Sequence, residues 1–323
     1  MNSKTKKALR IVIPLLLAIF FGWYTFSKLP VSEIIPYFKS ANYSWIVAGV
    51  LFGGLSHLSR AYRWQFLLEP MGYKVKLPNS IMAVFVAYLS NYGIPRSGEV
   101  LRAAVLTNYE GVPFEKSFGT IVAERMADMA VMLLIIAITL VLEFKFIYDI
   151  LAQSINPTRL LIYLAIVIIG GVVLFKILKR SQSKFALKVK KFLKGLVEGI
   201  LSIFKMKKKW PFIFHTLFIW LMYILMFYVT SFALPELDNL SIGAVLIAFI
   251  AATFTIAATN GGIFFYPAAV MSALMLFDLP KEPSYAFGWI MWSAQTLLII
   301  ICGIISFVYL PIYNRKKISV KES

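Results

Sequence analysis

Residues 91–99 read Asn-Tyr-Gly-Ile-Pro-Arg-Ser-Gly-Glu, and Arg102 follows within one helical turn. Glycine and proline interrupt a helix and leave backbone groups unpaired, whereas the two arginines and the glutamate are costly wherever lipid surrounds them. The residues on both sides of this stretch are predominantly apolar. The pattern therefore predicts two short helices whose junction lies in a polar cavity.

The composition of the whole chain indicates an integral membrane protein. Of 323 residues, 60% are hydrophobic and 15% are charged, which is far more apolar than a soluble globular domain. Cys302 is the single cysteine, so the chain forms no internal disulfide. The sequence contains no phosphate-cradling glycine-lysine loop, dinucleotide fingerprint or His-Glu-x-x-His motif. We therefore expect no cofactor and no metal site.

Six uninterrupted apolar runs are long enough to cross a hydrocarbon core of about 30 Å as helices, some with flanking residues. These predicted spans are Ile11–Phe26, Trp45–Leu58, Phe118–Leu142, Leu160–Leu178, Pro211–Phe232 and Phe287–Leu310. Residues 78–110 and 241–279 are also apolar, but glycine and proline interrupt them. No small-residue cleavage site follows the first run, so we expect it to stay as an uncleaved span.

The basic residues predict the orientation of the chain. They concentrate at the amino terminus, in residues 60–76, in residues 179–209 and in the carboxyl-terminal tail, so these parts, including both termini, are expected in the cytoplasm. Apolar residues alternate with the lysines of 179–209 at helical spacing, which predicts an amphipathic basic loop beside the membrane. The net charge of +18 is thereby assigned to orientation and lipid contact, and no nucleic-acid partner is expected.

This orientation requires residues 78–110 to enter and leave on one face of the membrane and residues 241–279 to do so on the other. The sequence thus predicts a single all-α polytopic domain, 1–323, with six full spans and two re-entrant helical hairpins. The halves 1–150 and 151–323 then form an inverted repeat, as in many transporters. The alternative is that all eight apolar segments cross the membrane completely and that a few loops are assigned to the wrong side.

The charged residues near the first break are expected to pair with acids on the following span. Arg96, Glu99 and Arg102 are three apart and should share one helix face, and Glu124, Arg125 and Asp128 follow on the next span. Pairing of Arg96 or Arg102 with Glu124 or Asp128 would offset their burial. The cluster is then either an ion-pair staple that fixes packing or a site where an arginine binds phosphate.

Two further groups of polar residues lie at the second break and at the end of the second predicted span. Asn260, Gly261 and Gly262 form the second break, where exposed amides would meet an anion or a headgroup hydroxyl, unless the glycines only permit a tight turn. Asn91 occupies the matching position in the first break. The series His57, Arg60 and Arg63, at three-residue intervals, is expected to snorkel to lipid headgroups.

The motifs Asn91…Pro95-Arg96-x-Gly98-Glu99-x-x-Arg102, Glu124-Arg125-x-x-Asp128 and Gly261-Gly262-Ile263 resemble the flippase-like family of the lysylphosphatidylglycerol synthase transmembrane region. The resemblance covers residues 10–312. It departs from the family pattern after Ile263, where Phe264 replaces a glycine and Pro267 replaces a glutamate, so the resemblance implies no acid-dependent role for that hairpin in this chain.

The resemblance implies a protein of the bacterial cytoplasmic membrane that translocates or binds a lipid, with the first hairpin close to the headgroup path. The expected partner is an anionic phospholipid or a polyprenyl phosphate. The aminoacyl-transferring activity of the family belongs to a separate cytosolic domain, which we do not expect in this chain, so it is not expected to be a synthase. A membrane-embedded transferase with a polyprenyl-phosphate sugar donor, using Glu99 or Asp128 as a base, and an assembly partner without transport are the alternatives.

Overall fold

The structure is a computed structural model that describes residues 31–94, 96–154, 169–170, 183, 187, 206–259 and 261–315. Within these residues every regular element is a helix. The predicted spans Ile11–Phe26 and, apart from residues 169–170, Leu160–Leu178 lie outside the described residues. So do Asn260 and most of the predicted basic loop, 179–209.

Ten α-helices follow one another in the described part of the chain, with 3-10 turns at Glu69–Met71 and Pro235–Leu237. They are α1 Val31–Ser40, α2 Tyr43–Leu68, α3 Leu77–Gly93, α4 Gly98–Glu110, α5 Phe114–Leu142, α6 Phe144–Ser154, α7 Lys209–Ser231, α8 Ile242–Ala258, α9 Phe265–Met275 and α10 Lys281–Tyr313. Side-chain caps define some of the starts. The amide of Ser44 donates to Asn42 Oδ1 before α2, and that of Ala244 donates to the Ser241 hydroxyl before α8.

Three of these helices, α5, α7 and α10, are long and apolar enough to cross a membrane. Large apolar side chains on α10, such as Ile304, Ile305 and Phe307, are exposed, as expected for a surface that meets lipid. Helix α2 is 26 residues long and continues well past the predicted span Trp45–Leu58, through two arginines, to Leu68. The apolar run therefore marks less than the full length of this helix.

The interrupted segments both form pairs of packed helices. Helices α3 and α4 flank the break at residues 94–97, and the amide of Lys76, just before α3, donates to Glu110 Oε1 at the end of α4 (3.2 Å). Helices α8 and α9 flank the break at residues 259–264. Phe277, after α9, stacks on Phe146 with ring centroids 4.2 Å apart, and Gly243, at the start of α8, contacts Glu143. Each pair therefore begins and ends at one end of the bundle.

The tips of the two helix pairs meet inside the bundle. Gly261 lies against the ring of Tyr92, since a Cβ atom at this glycine would be 3.1 Å from Tyr92 Cε1. Helix α10 contacts both tips: Trp292 Nε1 donates to the Gly261 carbonyl (2.7 Å), and the hydroxyls of Tyr92 and Thr296 are hydrogen-bonded (3.1 Å). Helix α10 thus holds the two breaks next to each other.

The two ends of the bundle differ in charge. We call the end formed by residues 69–76, 110–116, 206–209 and 314–315 the basic end; it carries Lys74, Lys76, Lys116, Lys207, Lys208, Lys209 and Arg315. We call the end formed by residues 31–42, 143–149, 232–241 and 276–282 the acidic end; it carries Glu33, Glu143, Asp149, Glu236, Asp238, Asp278 and Glu282. Lys208 and Glu69 pair at the first end (2.8 Å), and the Asn42 amide donates to the Ala233 carbonyl at the second (2.9 Å).

Candidate functional site

A buried network of five charged side chains joins three helices. Asp128 on α5 accepts from Arg60 Nη1 at Oδ2 (2.5 Å) and from Arg63 Nη1 at Oδ1 (2.8 Å), both arginines belonging to α2. Glu124, one turn earlier on α5, accepts at Oε2 from Arg102 Nη1 on α4 (2.6 Å). Its other oxygen lies 3.6 Å from Arg63 Nε. The ion pairs therefore hold the first helix pair against α2 and α5.

The deepest member of the network, Arg63, has a relative exposure of 0%. Its Nη1 also donates to Thr216 Oγ1 on α7 (2.9 Å), and its Cζ lies 5.3 Å from the centroid of the Phe212 ring. Removing one partner from such a buried pair leaves an uncompensated charge, which is strongly destabilising. Each of the five charged side chains is therefore needed for the stability of the folded protein.

Arg102 combines a buried position with unused hydrogen-bond donors. Its guanidinium carbon lies 3.8 Å from the centroid of the Trp64 ring, whose Nε1 donates to Thr120 Oγ1 (2.8 Å). This arrangement fixes the plane of the guanidinium by stacking. Nε and Nη2 of Arg102 are buried and have no hydrogen-bond partner among the described residues. Arg60 Nε and Arg63 Nε and Nη2 also lack a hydrogen-bond partner in the described part of the chain. Of these three arginines only Arg102 lines the cleft at the first helix break, so its donors are the ones that an acceptor there could meet.

Arg102 lies in the wall of a small open cleft. The cleft is lined by Val84, Ala87, Tyr88, Asn91, Gly98, Glu99, Arg102, Ile121 and Arg125. Asn91 Oδ1 accepts from the amide of Gly98 (2.8 Å), which closes the break around the first turn of α4. Arg125 Nη2 and Glu99 Oε1 form a partly exposed pair at the rim (2.9 Å). The positive end of the α4 helix therefore lies beside the cleft.

Most of the site residues predicted from the sequence come together here. Asn91, Glu99, Arg102 and Arg125 line the cleft. Glu124 and Asp128 lie in the ion network, and Arg102 pairs with Glu124 as expected. The described residues contain no group of three or more histidine, cysteine or acidic side chains placed to hold a metal ion.

The prediction for Arg96 is wrong in its geometry. This residue lies in the break with φ of 61°, before α4 begins at Gly98, and its side chain is exposed. It therefore does not share a helix face with Glu99 and Arg102, and neither Glu124 nor Asp128 pairs with it. The helical spacing used in the prediction does not apply, because the backbone at this position is left-handed.

The second break contacts the first through Gly261. Gly261 and Gly262 both have φ of 75°, a conformation that favours glycine, and they form the turn between α8 and α9. Gly261 contacts Tyr92 and Trp292. The tight-turn interpretation of these glycines is therefore supported.

The prediction that His57, Arg60 and Arg63 snorkel to headgroups is wrong. All three are buried, with relative exposures of 4%, 4% and 0%. They lie on one face of α2, as their spacing indicates, but Arg60 and Arg63 pair with Asp128 of α5. His57 packs against aromatic rings of α3 and α7. The signal for this arrangement was the spacing of Glu124 and Asp128, four apart on a neighbouring helix, which provides a matching pair of carboxylates.

Apolar helices around a buried ion network and a polar cleft define an integral membrane protein. Residues 11–303 match the family described as the lysylphosphatidylglycerol synthase TM region, so the chain belongs to this family. It is 25% identical over 255 residues to the UPF0104 membrane protein MJ1595 of Methanocaldococcus jannaschii, covering 70% of this chain and 75% of that protein.

A shorter match is to the glycosyltransferase AglD of Haloferax volcanii, with 26% identity over 99 residues. It covers 30% of this chain and 16% of that protein. No solved structure matches the chain significantly.

Proposed function

We propose that the chain binds the phosphate of an anionic phospholipid or a polyprenyl-phosphate lipid at Arg102 and moves the lipid between the leaflets of the membrane. Membership of a family associated with membrane lipid handling supports this proposal. So does the cleft at the first break, where a polar headgroup would find charged partners.

The observation that carries the proposal is the set of unpaired donors on Arg102. One guanidinium nitrogen binds Glu124, while Nε and Nη2 are free for a phosphate oxygen. A guanidinium is suited to such a ligand, because its planar fork binds two oxygens at once. Stacking on Trp64 orients the fork before the lipid arrives. Arg96, exposed at the break, is placed to meet the headgroup before it reaches Arg102.

We further propose that the basic end of the bundle faces the cytoplasm, as the positive-inside rule demands, in the cytoplasmic membrane. The two helix pairs would then be re-entrant hairpins, entering from opposite sides, between six full spans. The halves 1–150 and 151–323 would form an inverted repeat around the meeting point of the hairpin tips. The position of each pair's start and end at a single end of the bundle supports this topology.

The test is a scrambling assay with the purified protein in vesicles that carry a fluorescent phosphatidylglycerol. We expect Arg102→Lys to slow lipid movement by about tenfold or more, since a lysine cannot bind Glu124 and a phosphate through one planar fork, and a charge-assisted hydrogen bond contributes about 1.5–3 kcal/mol. Arg315→Lys makes the same chemical change at the exposed basic end and should leave the rate unaltered.

Two results contradict the proposal. The first is a wild-type rate no faster than that of protein-free vesicles. The second is an Arg102→Lys variant that elutes as folded protein and moves lipid as fast as the wild type.

A second candidate is a transferase that uses a polyprenyl-phosphate sugar donor, and the match to a glycosyltransferase favours it. Of the two bases predicted for this reaction, Asp128 is unsuitable because arginines bind both of its oxygens. Glu99, partly exposed at the cleft rim, is the remaining base. Consumption of the donor by purified wild type, lost in Glu99→Gln, would identify this activity.

A further inference from the structure

His57 is a buried titratable side chain that the proposed lipid site does not use. It lies on α2 one turn before Arg60, and its relative exposure is 4%. Neither Nδ1 nor Nε2 has a hydrogen-bond partner among the described residues. An imidazole always carries at least one donor or acceptor that needs a partner, so a buried ring without any calls for an explanation.

Aromatic rings surround His57 on two sides. Its ring centroid lies 5.6 Å from that of Phe85 and 4.9 Å from that of Tyr88, both on α3, and 6.1 Å from that of Tyr223 on α7. The charged group beside it is Arg60 on its own helix, whose counter-ion is Asp128 on α5. Among the described residues, the titratable groups that face the ring are thus two tyrosines and an arginine, and no carboxylate contacts it.

His57 is close to the lipid cleft. Tyr88 contacts the histidine ring and also lines the cleft next to Arg102 and Arg125. A single side chain therefore separates the imidazole from the position where a phosphate would bind. Tyr88 has a hydroxyl that can accept and donate a hydrogen bond, although it is not hydrogen-bonded to the imidazole in this conformation.

We propose that His57 is a proton-binding site that couples lipid movement to the uptake of a proton. This inference rests on the proposed function. In the conformation seen here, protonation would make the His57 ring a second cation beside Arg60. This cation would have no counter-ion of its own, which costs free energy. An anionic phosphate in the cleft supplies the missing negative charge. Proton and lipid therefore bind together, and each strengthens the binding of the other.

The coupling is tested by the pH dependence of lipid movement in vesicles between about pH 4 and about pH 8, a range that extends below the usual one for histidine because the protonated ring is disfavoured at this site. We expect the wild-type rate to fall by about fivefold or more as the pH rises through this range. His57→Gln should remove this dependence. His215→Gln changes the one other histidine of the chain, which is hydrogen-bonded to Ser59 (2.8 Å), and should retain it.

A second measurement needs no substitution at position 57 and no transport. The His215→Gln protein keeps a single histidine, so the NMR signal of its labelled imidazole reports His57 alone. We expect the midpoint of its titration to rise by about one pH unit when a short-chain phosphatidylglycerol is added, which corresponds to a tenfold stronger binding of the proton.

The outcomes separate the two proposals. Wild-type lipid movement whose pH profile persists in His57→Gln overturns the coupling and leaves the proposed function standing. Absence of wild-type lipid movement at every pH overturns the proposed function. A titration midpoint of His57 that the lipid does not shift overturns the coupling in either case.

Discussion

At the scale of single residues, the buried network carries more positive than negative charge. Arg60, Arg63 and Arg102 face only two carboxylates, Glu124 and Asp128. An excess charge inside a protein is costly unless a further partner is present. Arg102, whose Nε and Nη2 have no partner among the described residues, also lines the cleft, so the excess positive charge favours an anion there.

Asp128→Asn is expected to lower the free energy of unfolding by about 3–5 kcal/mol, because it leaves Arg60 without its carboxylate and Arg63 with only the longer contact to Glu124. Glu99→Gln makes the same change in the partly exposed pair with Arg125, and we expect it to cost less than about 1 kcal/mol. Thermal unfolding of both variants in detergent compares them. Equal losses of stability would show that the buried network does not hold the helices together.

At the scale of the helices, close approach between α3 and α4 depends on a glycine. A Cβ atom on Gly98 would collide with the backbone carbonyl of Ala87 and come within 2.8 Å of Asn91 Nδ2. Gly93, at the end of α3, has open space around the corresponding position. The two glycines of this helix pair therefore have different roles, and Gly98 is the one that sets the width of the cleft.

Gly98→Ala should force the two helices apart, lower the thermal stability by about 1–3 kcal/mol and weaken lipid binding at the cleft. Gly93→Ala is the matched control, and we expect its stability to change by less than about 0.5 kcal/mol. Thermal unfolding in detergent and binding of a fluorescent phosphatidylglycerol measure the two effects. A stable Gly98→Ala variant with unchanged binding would contradict the importance of this contact.

The sequence predicts the helix breaks well and the buried arginines poorly. Gly93 and Pro95 mark the first break correctly, because their effect on a helix is local. The length of α2 could not be predicted from such local signals. Arg60 and Arg63 are tolerated in this helix because both pair with Asp128, which follows them in the sequence by 68 and 65 positions. The position of Arg96 was missed since its left-handed backbone removes it from the helical register.

At the scale of the whole molecule, four helices of the described part of the chain, α2, α5, α7 and α10, connect the basic end to the acidic end. The first helix pair starts and ends at the basic end, and the second starts and ends at the acidic end. The predicted inverted repeat requires this opposite placement. The remaining predicted spans lie outside the described residues, so a direct topology measurement has the greatest value here.

Cysteine labelling tests this topology in a background with Cys302→Ser. A membrane-impermeant thiol reagent applied to intact cells should label Asp238→Cys and Glu282→Cys, which flank the second pair. It should label Lys74→Cys and Glu115→Cys, which flank the first pair, only after the cells are opened, because the basic end faces the cytoplasm. Flanks of one pair that label from opposite sides would rule out a hairpin at that position.

The separation between the arginines of α2 and the carboxylates of α5 has a consequence for biogenesis. During synthesis α2 emerges 65 to 68 residues before Asp128. An arginine at the centre of an inserting helix costs about 2.5–3.5 kcal/mol, and one nearer the end can reach the headgroups. Arg60 and Arg63 lie in the carboxyl-terminal part of α2, which is not among the helices that are apolar enough to span by composition. We therefore expect a nascent chain that stops before α5 to hold α2 in the membrane less stably than the full chain does, because Asp128 is still missing.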